Sequence, residues 1–268
     1  VACIVPKYVT TKYLAKLING LGKLAKHKNI TLPCNDILQI LKPAFDTLPD
    51  ESATDQNIAM IINGLGKLAK AKLINLSCDE KIAKLLNFLI GTLKNPNAHS
   101  ANAQTFARIL RGLADLAETE KLNPKESPEL VLIWENTIQV LLERFAEYTN
   151  MTIKAKYCAM VFTSLGLFAE KNLLDLNRLD QPKWHENLHT VAEIYTYICT
   201  SKDETATPET HQKALMGLNL LFTCKASKFG SKEITPLQAQ SMFRTPTSQV
   251  KASATSISPQ PSPGKVSQ

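Results

Sequence analysis

The chain has 268 residues, a formal net charge of +7, 44% hydrophobic residues and only 6% aromatic ones. That length allows one or two domains, and the dominance of aliphatic side chains fits helical packing. No stretch approaches twenty consecutive apolar residues, which excludes a membrane-spanning helix, and Val1–Thr10 lacks the long apolar region of a signal peptide. The first residue is Val1 rather than Met, as expected of a piece of a longer protein.

Taken in chain order, the sequence repeats itself. Tyr13–Lys26 returns almost unchanged as Asn57–Lys70, more loosely as Thr105–Ala117 and Tyr157–Ala169, and weakly as Leu215–Phe222. We number each copy from its Gly20, Gly64, Gly112, Ser164 or Gly217. Apolar residues then fall at −6, −3, −2, +1 and +4, which in the second copy are Ile58, Ile61, Ile62, Leu65 and Leu68. This is a helical period. Small residues flank the stripe at −5, 0, +2 and +5 (Ala59, Gly64, Gly66, Ala69). Glycine inside a helix costs about 1 kcal/mol against alanine. Its recurrence within an unbroken apolar pattern predicts helices packed so closely that a side chain would hold them apart.

A second helix is predicted after each of the first four copies, over residues 35–47, 79–94, 128–148 and 182–199. Pro128 and Pro182 suit a first helical turn, Ser127 is a candidate N-cap, and Asp36 and Asp79 suit first turns by charge. A helix pair cannot bury its apolar face alone, and stacking copies supplies the missing surface. The expected fold is therefore all-α, an irregular α-solenoid of the armadillo or HEAT kind with four to five stacked helix pairs over residues 1–229. The spacing between copies widens from 44 to 48, 52 and 53 residues, hence the irregularity. Residues 230–268 lose the apolar period and turn rich in Ser, Thr, Pro, Gln and Lys, as expected of a disordered tail. Cys3, Cys34, Cys78, Cys158, Cys199 and Cys224 form no C-x-x-C pair and read as reduced thiols of a cytoplasmic protein.

Net charge is +6 over residues 1–94, −2 over 95–229 and +3 in the tail. The outer face of the first helices, at −4, −1, +3 and +6, carries Lys16, Asn19, Lys23 and Lys26, then Met60, Asn63, Lys67 and Lys70, then Arg108, Arg111, Asp115 and Glu118. In the fourth copy it becomes Met160, Thr163, Leu167 and Glu170. Stacking aligns these residues into a ridge. A protein partner is the leading expectation for it. RNA is the alternative, because lysines can track a phosphate backbone, although the ridge lacks aromatic residues on which bases would stack.

His185-Glu186-Asn187-Leu188-His189 matches H-E-x-x-H, in which two histidines one helical turn apart bind zinc and the glutamate activates water. Glu209 or His211 is spaced to act as third ligand. The segment also aligns with Trp134–Val140 of the preceding copy, which gives it a structural role, and no metal or cofactor is assigned. There is no Ser/His/Asp set and no phosphate-binding glycine loop, so no enzymatic activity is expected.

The run Asn57–Ala69, N-x-A-x-x-x-N-G-L-G-K-L-A, resembles the core of octotricopeptide-type repeats. It is also similar to the SKWP-type repeats of plant-pathogen effectors, and to arrays in effector-like proteins of intracellular bacteria such as Legionella and Coxiella. The resemblance covers the first helix of four copies. It implies an α-solenoid, with RNA binding on the octotricopeptide side and a scaffold secreted into a host cell on the effector side. The copies here are longer than the octotricopeptide unit, and Lys67-Leu68-Ala69 stands where the SKWP tryptophan would be, so no residue code for RNA carries over.

Overall fold

The computed structural model describes residues 10–26, 53–74, 83, 86–88, 90–91, 102–119, 128–147, 153–177, 181–201 and 203–229. All regular structure among them is helical. The helices are α1 (Thr11–Lys26), α2 (Asp55–Lys70), α3 (Ala103–Thr119), α4 (Pro128–Ala146), α5 (Ala155–Glu170), α6 (Pro182–Thr200) and α7 (Pro208–Phe229). Helical residues at 83, 86–88, 90 and 91 fall within the predicted helix over 79–94. The predicted helix over 35–47, Ser127 and the tail from 230 lie outside the described residues.

Local signals account for the ends of these helices. In three copies the residue ten before the reference position caps the first helix. Thr54 Oγ1 accepts from the Asn57 backbone N–H at 3.2 Å, Asn102 Oδ1 from Thr105 at 3.0 Å, and Thr207 Oγ1 from Thr210 at 3.2 Å. Each satisfies a donor that has no intrahelical partner. In the fourth copy the same position is Lys154, which makes no side-chain cap. The C-terminal ends of α2 and α5 are alike as well. Lys72 and Asn172 both adopt positive φ, 59° and 55°, and Leu73 and Leu173 donate back to Leu68 and Phe168 at 2.9 Å. A left-handed residue suits glycine or asparagine and costs a lysine about 1–2 kcal/mol. Lys72→Gly is therefore expected to stabilise the fold by about 1 kcal/mol, read as a raised denaturation midpoint. Asn172→Gly is expected to change it far less.

The first helices form one layer in copy order, α1 on α2, α2 on α3, α3 on α5 and α5 on α7. Helices α4 and α6 pack on each other and against α3 and α5. The apolar stripe turns inward throughout: Ile58, Ile61, Leu65 and Leu68 are 0–1% exposed. Such burial is worth about 1.5–3 kcal/mol for each side chain. Aromatic side chains fill the space between the two sets of helices. Trp134 meets Phe168 and Phe162 meets Tyr195, both edge to face with ring centroids 6.1 Å apart.

Glycine sets how closely the first layer packs. A Cβ built on Gly22 would stand 2.8 Å from the Gly64 carbonyl oxygen. On Gly66 it would stand 2.5 Å from that of Gly112, and on Gly166 2.5 Å from that of Gly217. Position +2 of one copy thus touches position 0 of the next. In return, Gly64, Gly112 and Gly217 lie against the backbone of the preceding helix at −2 and −1 (Ile18, Asn63, Phe162). The joint between α3 and α5 is built differently, with Ala114 at +2 and Ser164 at 0. Ser164 is fully buried and its hydroxyl donates to the Met160 carbonyl at 2.7 Å.

Candidate binding groove

The face formed by −4, −1, +3 and +6 was expected to stand out as a ridge. It lines a groove of about 990 Å³ instead. From α1 come Asn19 and Lys23; from α2, Met60, Asn63, Lys67 and Lys70; from α3, Arg108, Arg111 and Asp115; and from α5, Met160. The turn after α2 adds Lys72 and Leu73. Of the residues assigned to the ridge, Lys16 is exposed but does not line the groove. Lys26 ends α1, and its side chain lies outside the described residues.

Asp115 departs most from its expected outer-face position. It is only 5% exposed. Its Oδ1 lies 2.8 Å from Arg111 Nη2, one helical turn earlier, and 3.7 Å from Lys70 Nζ on the neighbouring helix. Lys70 Nζ also donates to Glu118 Oε2 at 2.8 Å. This hydrogen bond, aided by the positive charge of Lys70 and Arg111, holds the Glu118 carboxyl below the ordinary glutamate value. A carboxyl depressed in the fold adds stability above its unfolded pKa and loses it as the pH falls through the folded value. Glu118 is 40% exposed, so that contribution is small.

The groove is therefore basic but internally braced. Among the described residues, six cationic side chains line it (Lys23, Lys67, Lys70, Lys72, Arg108, Arg111) against one carboxylate, Asp115. Asp115 and Glu118 engage Lys70 and Arg111. No ion pair joins Lys23 or Arg108 to another described residue, and both are exposed. Asn19 and Asn63 occupy the same position, −1, one copy apart. A carboxamide donates and accepts, so two in register suit the backbone of an extended chain. No described Phe, Tyr or Trp lines the groove. Further along the layer, Met160 and Leu167 are half-buried, and Met216 is 61% exposed outside the groove.

The other sequence candidates lie elsewhere. His185, Glu186 and His189 are exposed on α6, while the adjacent Trp184 and Leu188 are buried at 1% and 3%. The two imidazoles stack with centroids 6.3 Å apart, and His189 Nδ1 lies 3.4 Å from Glu193. Neither proposed third ligand joins them. Glu209 pairs with Lys213 at 2.6 Å, and His211 Nδ1 lies 3.2 Å from the Tyr195 hydroxyl. Among the described residues no three His, Cys, Asp or Glu side chains converge as a metal site. Cys158 is buried, and desolvation pushes its thiol pKa far up, which leaves it unreactive. Cys199 and Cys224 are half-buried and shifted the same way. Cys3, Cys34 and Cys78 lie outside the described residues. No described helix is long and apolar enough to cross a membrane.

Compared with known proteins, the chain matches no family model, no curated protein and no solved structure.

Proposed function

We propose that the chain is a non-enzymatic α-solenoid scaffold that binds an extended, acidic segment of another protein in the groove across α1, α2 and α3. The observation that carries this reading is the groove itself: among its described residues, six cations against one carboxylate, with Asn19 and Asn63 repeated in register. Solenoids recognise partners by many modest contacts spread along such a surface. Electrostatic attraction speeds encounter, and the carboxamides pair with a peptide backbone. The cations also favour RNA as a second reading, but the described residues of the groove offer no aromatic platform for bases.

Fluorescence anisotropy with a labelled glutamate-rich peptide and a labelled single-stranded RNA of equal charge separates the two. The peptide is expected to bind at least tenfold more tightly. Arg108→Glu combined with Lys67→Glu is expected to lower peptide affinity a further tenfold or more. Tighter RNA binding with a steep salt dependence, or peptide binding indifferent to both reversals, would sink the acidic-segment reading.

A further inference from the structure

Among the described helices, α1 makes its main contact with α2. In the second, third and fifth copies, position 0 is a glycine whose missing side chain makes room for the backbone of the preceding helix. Gly20 is the same position in the first copy, yet no described atom lies within 4 Å of a Cβ placed on it. Around this notch Tyr13, Leu17 and Leu24 are 66%, 41% and 47% exposed. These are three of the six large hydrophobic side chains exposed among the described residues. At 100° per residue, Tyr13, Leu17, Gly20 and Leu24 share one narrow face of α1. In the second copy the corresponding residues at −3 and +4, Ile61 and Leu68, are fully buried.

We propose that this face of α1 docks an acidic, amphipathic helix of a partner protein, with a small residue where the two helices cross at Gly20. The inter-repeat joints supply the geometry: a helix seated on position 0 meets it with its own glycine at +2 and its backbone at −2 and −1. Charge supplies the partner's chemistry. Lys16 and Lys23 are exposed along one flank of the face, and α1 contains four lysines and no acidic residue. The joint between α2 and α3 already uses this complementarity, with Lys70 of one helix bonded to Glu118 of the next. A second copy of the chain fits poorly. Pairing α1 with α1 brings lysine-rich helices together. Head-to-tail stacking would present α7, which carries the exposed Asn219 at +2 where the other joints have glycine.

The test uses the whole chain and two labelled helical peptides. Each has a leucine face and a central glycine; one has glutamates on its flanks and the other lysines. By anisotropy the glutamate peptide is expected to bind saturably and at least tenfold more tightly than its twin. Leu17→Glu is expected to weaken it tenfold or more, with helix content by circular dichroism unchanged. Lys16→Glu, which lies outside the groove, is expected to narrow the preference between the peptides. Arg108→Glu is expected to leave the helix peptide unaffected while weakening the extended peptide in the groove, so failure of one site is distinct from failure of the other. Equal binding of the two peptides, no effect of Leu17→Glu, or a dimer in sedimentation equilibrium that Leu17→Glu dissolves would each overturn the proposal.

Discussion

Gly66→Ala is expected to destabilise the fold by about 1–3 kcal/mol, as overpacking of a tight interior does, whereas Gly20→Ala is expected to stabilise it by about 1 kcal/mol. Intrinsic propensity favours alanine equally at both sites, since both are interior helical positions. The difference is what the new methyl meets. At Gly66 it would stand 2.5 Å from the Gly112 carbonyl oxygen and 3.0 Å from Asp115 Cβ, so a backbone must move. At Gly20 no described atom lies within 4 Å. Gly217→Ala is expected to follow Gly66→Ala, because the Phe162 carbonyl carbon is 2.4 Å away. Denaturant midpoints followed by circular dichroism check all three. If Gly66→Ala were as stable as the parent, the close approach of α2 and α3 would be wrong.

Asp115→Asn is expected to move stability and binding in opposite directions. The carboxylate is buried between Arg111 and Lys70, and removing its charge leaves two cations facing each other without it. Breaking a fully buried pair costs about 3–5 kcal/mol. Arg111 and Lys70 are 28% and 48% exposed and can turn to water, so about 1–2 kcal/mol is expected here. The same change removes the one described carboxylate lining the groove. Affinity for a glutamate-rich peptide should therefore rise several-fold, read by anisotropy beside the unfolding midpoint. A variant that lost both stability and affinity would make Asp115 part of the recognition surface rather than its brace.

Much of the layer could be read from the sequence. The apolar period placed Ile58, Ile61, Leu65 and Leu68 inside, and glycines repeating at 0 and +2 pointed to close packing. The helix caps carry a further signal of the repeat. Thr54, Asn102 and Thr207 stand at one repeat position and cap three helices in the same way. The fate of Asp115 was less accessible. Helical period puts it on the outer face beside Lys23 and Lys67 of the earlier copies, but burial there depends on contact between copies. Because Gly66 has no side chain, α3 comes near enough for Asp115 to enter the joint, and Arg111 and Lys70 close over it. The H-E-x-x-H match leaves its third ligand open for a related reason. Five residues fix the spacing of two imidazoles on α6, but a third ligand depends on tertiary placement, and Glu209 and His211 are engaged elsewhere. Gly20 and Gly64 have nearly the same sequence neighbours, so only tertiary packing distinguishes the open notch from the filled one.

The most direct test of the groove as the binding site is methyl NMR of the chain with labelled methionines, titrated with a glutamate-rich peptide. Met60 and Met160 line the groove, whereas Met216 lies outside it on α7. The Met60 and Met160 methyl signals are expected to shift together and saturate while Met216 stays in place. Shifts at Met216 alone, or saturable binding that leaves Met60 and Met160 unmoved, would contradict the account.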